Sequence, residues 1–371
     1  MRATPSLVAA AVACLAVSTA ATAAQALSRT ITAISGHALP ATIGKNVLDV
    51  SWSGSDTLLV ATDQGVYGVA IAGGIPRELI KGVSLPDGLP HPTSLSSDGK
   101  WVSAISSVSN GGFALRLADQ KRLLAQHSIR LIPTDVAVRG SRSCVLGYAP
   151  APPTAAQQDV AAWCGGSSDS WAELKPLHYL HSQHAQDLFR SAMWPLGGRI
   201  VIEADGTVDI ITSVQPGVFR YGADGKLREV RGQSIDDLVL ESMKEILTKF
   251  ASDMENRYRL LLNAQPIIDD LVVTPTGPAI LVRVADGNKI HWELWYPLQS
   301  GGVGDRVRLG IERIGPFGHL RCDARGSDMA CVGSMPPRNE ASVAKTAQAW
   351  PHLWLFKLAP SQPQAKQRSA R

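Results

Sequence analysis

Three histidines at three-residue spacing form the densest set of candidate metal ligands in the sequence. His178, His181 and His184 lie in LHYLHSQHAQD, and Asp187 follows them. Imidazoles bind transition metals, and a helical turn would bring the three rings into one arc. The spacing matches no known metal-site signature, so a polar loop between strands is the competing interpretation. A divalent metal at these histidines is therefore a hypothesis, and no other cofactor is predicted.

Two pairs of adjacent carboxylates are candidates for acid–base chemistry. Asp236-Asp237 lies where a helix is expected to begin, which gives these residues a capping role. Asp269-Asp270 opens a predicted strand and could line a central channel, where ligand sites tend to form. The motifs G-x-S-x-G, H-E-x-x-H and the P-loop are absent from the sequence. An enzyme is therefore not the favoured reading, although a site built from distant loops stays open.

The elements that would position these residues repeat along the chain. Leu48–Ile71 reads as three short strands, which are separated by Ser53-Gly54-Ser55-Asp56 and Thr62-Asp63-Gln64-Gly65. Weaker copies begin near residues 93, 134, 191, 270 and 319, at spacings of the order of one propeller blade. The fold class predicted is all-β, a β-propeller with six blades, or seven if Gln183–Asp205 forms its own.

Closing a ring of blades solves the problem of exposed sheet edges. Stacked sheets bury their apolar faces against one another, and closure leaves only short protected edges. In many propellers a strand from one terminus joins the blade at the other terminus. Thr30–Ile34 is the predicted closing strand. The nine tryptophans, Trp52, Trp101, Trp292, Trp295 and Trp354 among them, are expected mainly to fill blades.

The turn of the second repeat resembles that of exported propellers of the TolB-type and WD-like kind. Ser96-Ser97-Asp98-Gly99-Lys100-Trp101 is similar to their S-P-D-G-K-[W/R] turn, with Ser97 where the family has proline. The other repeats keep the pattern only in decayed form. The resemblance implies a scaffold that binds a protein or ligand outside the cytoplasm, and it transfers no catalytic residues.

One amphipathic helix is predicted to interrupt the repeats at about 234–264. Ser234 is a suitable N-cap, and apolar residues recur at spacings of three and four from Val239 to Leu261. Pro266 ends the pattern. The helix either packs on the rim of the ring or serves as a lid or docking element, because insertions in repeat proteins often decorate the binding face.

The N-terminus has the anatomy of a secretory signal peptide, predicted over residues 1–26. Arg2 is followed by the apolar run Leu7–Val17, and Ala21-Thr22-Ala23 and Ala24-Gln25-Ala26 offer cleavage sites. The apolar run is too short to span a bilayer, and no later stretch is long enough. We expect a periplasmic or secreted protein. A lipoprotein anchored at Cys14 is disfavoured, because cleavage there would cut inside the apolar run.

Four cysteines remain after the predicted cleavage, which suggests two disulfides in an exported chain. Three pairings are possible. We predict Cys144–Cys164 and Cys322–Cys331, because each pair would lie on neighbouring strands of one repeat. Metal binding is the alternative, but neither pair has C-x-x-C spacing.

The formal net charge of +4 is small and partly confined to a basic tail. Residues 361–371 (SQPQAKQRSAR) are expected to be disordered, and the propeller to occupy 27–360. A nearly neutral globular part argues against a nucleic-acid surface. We expect a monomer.

The sequence supports three candidate functions in a definite order. A non-catalytic scaffold for an envelope or extracellular protein or ligand comes first. A metal-dependent hydrolase or lactonase, with its site in the central channel, is the alternative. A carbohydrate-binding module that uses exposed tryptophans comes last.

Overall fold

The computed structural model describes residues 28–44, 46–81, 93–108, 111–118, 122–129, 132–148, 160–166, 173–180, 198–212, 215–232, 267–286, 289–314, 319–333 and 351–362. These residues are nearly all β-strand, with one 3-10 turn at Ala41–Ile43. The strands form four-stranded antiparallel sheets, each of which is one blade.

The first three blades each follow chain order from the inside outwards. Blade 1 contains β2 (Val47–Trp52), β3 (Thr57–Thr62), β4 (Gly65–Ala70) and β5 (Arg77–Lys81). Blade 2 contains β6 (Ser94–Ser97), β7 (Trp101–Val108), β8 (Gly111–Ala118) and β9 (Arg122–Ile129). Blade 3 contains β10 (Ile132–Arg139), β11 (Arg142–Tyr148), β12 (Val160–Gly166) and β13 (Lys175–Tyr179).

The next two blades repeat this order, and the sixth combines both ends of the chain. Blade 4 contains β14 (Arg199–Ile202), β15 (Val208–Thr212), β16 (Gln215–Tyr221) and β17 (Leu227–Arg231). Blade 5 contains β18 (Ile267–Thr274), β19 (Gly277–Asp286), β20 (Lys289–Pro297) and β21 (Val303–Ile314). Blade 6 contains β22 (Leu320–Arg325), β23 (Asp328–Gly333), β24 (His352–Gln362) and β1 (Ser28–Ala38).

The innermost strands close a ring. Each one contacts the innermost strand of the next blade, and β22 contacts β2, so the series returns to its start. The prediction of an all-β propeller is confirmed. β1 forms the outer strand of blade 6 beside β24, which confirms that a strand containing Thr30–Ile34 closes the ring.

The core lies between neighbouring blades. Leu58 and Val60 of blade 1 pack with Ala330 and Val332 of blade 6, and comparable clusters fill the other interfaces. Trp52, Trp292, Trp295 and Trp354 are all buried, as expected of blade filler.

Both predicted disulfides are present. Cys144–Cys164 joins β11 to β12, and Cys322–Cys331 joins β22 to β23; in each case the two residues stand directly opposite one another. Two disulfides indicate an oxidising, exported environment.

Several predictions fall outside the described residues: the signal peptide at 1–26, the helix at 234–264 and most of the tail at 361–371. β24 extends to Gln362, two residues into that tail. Among the described residues, no helix has the length and hydrophobicity to cross a bilayer.

Candidate functional site

A ring of six polar residues lies at the axis, one from each innermost strand. Asp49, Asp135 and Asp270 each follow a register shift in the pairing of the innermost strand with its neighbour, so they occupy the same position in blades 1, 3 and 5. Blades 2, 4 and 6 place Ser94, Arg199 and Arg321 there. All six are at most 5% exposed. We call these residues the axial ring.

Each aspartate of the axial ring caps a backbone donor of the next blade. The innermost strand is a sheet edge, so some of its N–H groups point towards the axis without a strand partner. Carboxylates that accept hydrogen bonds from these N–H groups take the place of the missing strand partner. The bonds run from Leu95 N to Asp49 (3.0 Å), from Ile200 N to Asp135 (2.7 Å) and from Cys322 N to Asp270 (2.9 Å).

Arg199 supplies the positive charge that these carboxylates need. Its Nη1 lies 2.8 Å from Asp135 Oδ1 and 3.6 Å from Asp49 Oδ2, and its Nε lies 3.2 Å from Asp270 Oδ1. Burial alone would lower the pKa of Arg199, but the three carboxyl groups raise it above its ordinary value. Gly198 precedes it with φ of +112°, where a Cβ would collide with the carbonyl oxygen of Ile211.

Ser94 links two of the carboxyl groups through one hydroxyl. Its Oγ lies 2.7 Å from Asp49 Oδ2 and 2.5 Å from Asp135 Oδ1. A hydroxyl has one proton and an ionised carboxylate only accepts, so both contacts are hydrogen bonds only if one carboxyl group is protonated. Burial raises the pKa of Asp135, which favours the proton there. Asp49 and Asp270 are the other two carboxyl groups that face Arg199 and Arg321.

A second layer of caps lies two residues further along the innermost strands, but only on half of the ring. Ser51 accepts from Ser97 N (3.0 Å), Ser96 from Val138 N (3.0 Å) and Asp323 from Trp52 N (2.7 Å). At the equivalent positions of blades 3, 4 and 5 stand Ala137, Val201 and Val272, which have no acceptor atom.

Three backbone donors lie opposite these positions; Asp323 accepts from Ala324 N, and the N–H groups of Ile202 and Val273 are left to face the axis. Ile202 and Val273 occupy the positions equivalent to Trp52 and Ser97, and the residues at the capping positions before them are Ala137 and Val201. Leu271 N donates to Asp270 Oδ1 and not to β19, and Val273 lies two residues further along β18, so its N–H faces the same side. Both Ile202 and Val273 line the cavity described next.

The axis opens into a cavity of about 480 Å³ between the axial ring and the turns that follow the innermost strands. Asp49, Asp135, Arg199 and Asp270 form its floor, and Asp323 stands on its wall. The exposed side chains of Arg139 and Arg325 lie at its mouth. Its volume is in the range usual for small-molecule sites, about 300–1,000 Å³.

The axial ring holds two buried donor atoms without a partner. Among the described residues, Nη2 of Arg199 and Nη1 of Arg321 have no hydrogen-bond partner. Unpaired guanidinium N–H groups are costly in a buried site. Arg199 lines the cavity, so a ligand that reaches the floor lies beside this guanidinium group.

Two cavity carboxyls have pKa values near neutrality. Burial raises the pKa of Asp270 to about 7, against the opposing effect of Arg199. Burial raises the pKa of Asp323 to about 6, although it accepts hydrogen bonds from Trp52 N–H and Ser51. The charge of the cavity therefore depends on pH near neutrality.

The structure separates the Asp269-Asp270 pair. Asp270 faces the axis, as the sequence suggested for one of the two, whereas Asp269 points into the interface of blades 5 and 6. There Asp269 accepts from Trp292 Nε1 (2.6 Å) and lies near His319. Burial would raise the pKa of Asp269, but the nearby side chains of Arg283, His319 and Arg321 lower it to about 2.

His178 lies in β13 rather than on a helical turn. Its ring is buried, its Nδ1 lies 2.8 Å from the hydroxyl of Tyr221, and it packs against Phe219. His181 and His184 lie outside the described residues, so a metal shared by the three stays a prediction. Within the described part of the chain, no group of three or more His, Cys, Asp or Glu side chains is arranged to hold a metal ion.

The S-S-D-G-K-W turn has a structural explanation. Asp98 accepts from Lys100 N (3.0 Å) and Trp101 N (2.8 Å) within the turn, and from Gly140 N (2.5 Å) of the next blade. Gly99 has φ of +92°, which favours glycine. The motif thus fixes a turn and joins two blades.

The comparisons with known proteins show the fold. No protein-family model matches the sequence, and no curated protein is similar to it. The PQQ-bound aldose sugar dehydrogenase from Streptomyces coelicolor is 8% identical, with a TM-score of 0.50 over 90% of this chain and 99% of that one. The WD40 propeller of Doa1 (9% identity, TM-score 0.45, 92% and 99% covered) and a gluconolactonase from Xanthomonas campestris (13%, 0.46, 92% and 93%) are also similar. The chain is a β-propeller, and at these identities nothing beyond the fold follows.

Proposed function

We propose that this chain is an exported, non-catalytic binding protein of the cell envelope that receives its ligand in the central cavity. One observation carries the proposal: a buried arginine on the cavity floor keeps an unpaired N–H. A group of this kind is expected to be paired, by solvent or by a ligand. The resemblance of the Ser96–Trp101 turn to exported binding propellers supports the same role.

Export is part of the proposal. The anatomy of residues 1–26 and the two disulfides both support a periplasmic or secreted location. Mass spectrometry of the chain recovered from the periplasm or medium should give a new N-terminus at Ala24 or Leu27. A chain retained in the cytoplasm with Met1 intact would refute export.

The metal-dependent hydrolase is the second candidate function. Three carboxylates do converge on the axis, which that alternative requires. They are engaged by Arg199 and by backbone N–H groups of the next blades, so a metal ion would have to compete with these partners. A cation added among them would also face the guanidinium charge.

The experiment is a thermal-shift screen of the oxidised mature chain against small molecules extracted from bacterial envelopes. Val273→Trp, which places a large side chain on the cavity wall, is the matched variant. Compounds that bind in the cavity should raise the melting temperature of the native chain and not that of the variant. Circular dichroism confirms that the variant is folded. Equal shifts in both proteins, or no shift with any fraction, would refute cavity binding.

A further inference from the structure

We propose that the cavity binds an uncharged, polyhydroxylated ligand, a sugar or a sugar-like polyol. This inference rests on the proposed function. The inference comes from the donors and acceptors that the wall and floor leave for a ligand. It differs from a surface carbohydrate module, because exposed tryptophans play no part in it.

The donors gather on blades 4 and 5. Arg199 Nη2 is unpaired on the floor, and the N–H groups of Ile202 and Val273 face the axis with Ala137 and Val201 at the capping positions. The three groups belong to neighbouring strands, β14 and β18. Together they fit the oxygen atoms of one ligand.

The acceptor lies on the other side, on blade 6. Oδ2 of Asp323 accepts from Trp52 N–H and Ser51 Oγ, and the carboxyl group also accepts from Ala324 N–H. A carboxylate has about four acceptor positions, so it can take a further hydroxyl proton from the cavity. The cavity therefore offers donors on one wall and a carboxylate on the other.

The charges select against an ion. The lining carries both signs of charge: Arg199 on the floor and Arg139 and Arg325 at the mouth lie around the carboxyl groups of Asp270 and Asp323. An anion would face Asp323, and a cation would face Arg199 and two N–H donors. A hydroxyl both donates and accepts, so a polyol satisfies both walls without a net charge.

The pattern of caps supplies a direct test. Ser51 and Ser96 show that a hydroxyl at the capping position accepts the N–H of the next blade. Ala137→Ser and Val201→Thr would thus occupy the N–H groups of Ile202 and Val273 from within the protein. Ala70→Ser, at an exposed position of β4 away from the cavity, is the matched control.

Isothermal titration calorimetry of the oxidised chain should compare neutral sugars and polyols (glucose, galactose, mannose, sorbitol) with gluconate and glucosamine. We expect saturable binding of a neutral member, and binding at least about tenfold weaker for both charged compounds. The double variant A137S/V201T should lose about tenfold or more in affinity, as expected for the loss of one to two hydrogen bonds, and A70S should match the native chain.

Each failure has a distinct meaning. Tighter binding of gluconate or glucosamine would overturn the uncharged class while cavity binding stands. Unchanged affinity in A137S/V201T would show that the two N–H groups do not contact the sugar, and would overturn the inference. If no compound of the series binds, the polyol class is wrong. The screen with Val273→Trp then decides separately whether the cavity binds anything.

Discussion

The Oγ atom of Ser94 lies 2.5 Å from Oδ1 of Asp135, and Nη1 of Arg199 lies 2.8 Å from the same oxygen. One carboxyl oxygen of blade 3 thus joins the innermost strands of blades 2 and 4. Asp49 contacts the same Ser94 hydroxyl (2.7 Å) and Asp270 contacts Nε of Arg199 (3.2 Å), which brings blades 1 and 5 into the same network. The network therefore acts as a polar clamp on the inner edges of these sheets.

Ser94→Ala removes the hydroxyl between Asp49 and Asp135. The two carboxyl groups lose a shared partner in a buried site, so we expect the free energy of unfolding to fall by about 1–3 kcal/mol. Urea unfolding of the oxidised chain measures it. Ser55→Ala, in an exposed turn, should stay within about 0.5 kcal/mol of the native chain. A loss of unfolding free energy for S94A as small as that of the control would contradict the role of the Ser94 hydroxyl as a shared hydrogen-bond partner.

Arg199→Met removes the cation that contacts three carboxylates. Leaving buried charges without their partner costs about 3–5 kcal/mol, so the variant should be strongly destabilised at pH 7. The loss of unfolding free energy should be smaller at pH 4, because more of the carboxyl groups are protonated there and need no cation. Arg139→Met, at the exposed mouth, serves as the control. If R199M does not fold, Arg199→Lys is measured in its place, because lysine keeps the charge but lacks the several N–H groups of the guanidinium. A fully stable Arg199→Met protein would refute the clamp.

The repeat pattern predicted the fold well because it depends on short-range signals. Turn residues and short apolar runs mark strand ends directly, and five of the six repeat starts lie within three residues of the first residue of an innermost strand. Blade 4 was placed too early, near Ser191, whereas β14 begins at Arg199. The disulfide pairing was also predictable, since each pair lies on adjacent strands of one repeat.

The axial ring was largely missed, because its members are far apart in sequence and differ in chemical type. The sequence predicts a channel position only for Asp269 or Asp270, and Asp270 is the one that belongs to the ring. Aligning the repeats on their first strand would have revealed the signal, a polar residue directly before an aliphatic residue or cysteine. The pattern is Asp49-Val50, Ser94-Leu95, Asp135-Val136, Arg199-Ile200, Asp270-Leu271 and Arg321-Cys322. No single repeat shows that serine, aspartate and arginine are equivalent there.

Stability should fall as pH rises from about 4 to 7. The pKa values of Asp323 (about 6) and Asp270 (about 7) lie above the ordinary value near 4, so the native chain holds protons that the unfolded chain has lost. Asp269, with its pKa lowered to about 2, acts oppositely and loses its contribution below about pH 4. Unfolding free energies from pH 3 to 8 should therefore peak near pH 4–5.

Asp323→Asn tests the assignment. Asparagine cannot ionise, so the slope between pH 4 and 6 should become shallower by up to about 1.4 kcal/mol per pH unit. Asp323 faces Ser51, Trp52 N–H and the charge of Asp49, and none of these is changed. Asp56→Asn, in an exposed turn, should leave the slope as it is. An unchanged slope in D323N would assign the pH dependence to other groups.

The two disulfides should differ in their contribution to stability because they close loops of different length. Cys144–Cys164 spans 20 residues and Cys322–Cys331 spans 9. The loop-entropy relation gives about 3 kcal/mol for the longer loop and about 0.5–1 kcal/mol less for the shorter one. Urea unfolding of C144A/C164A and C322A/C331A measures this difference, and all four side chains are buried, which makes the packing losses comparable. The reduced native chain should be destabilised at least as much as either variant. A larger loss for C322A/C331A would show that packing in blade 6, rather than loop length, sets the order.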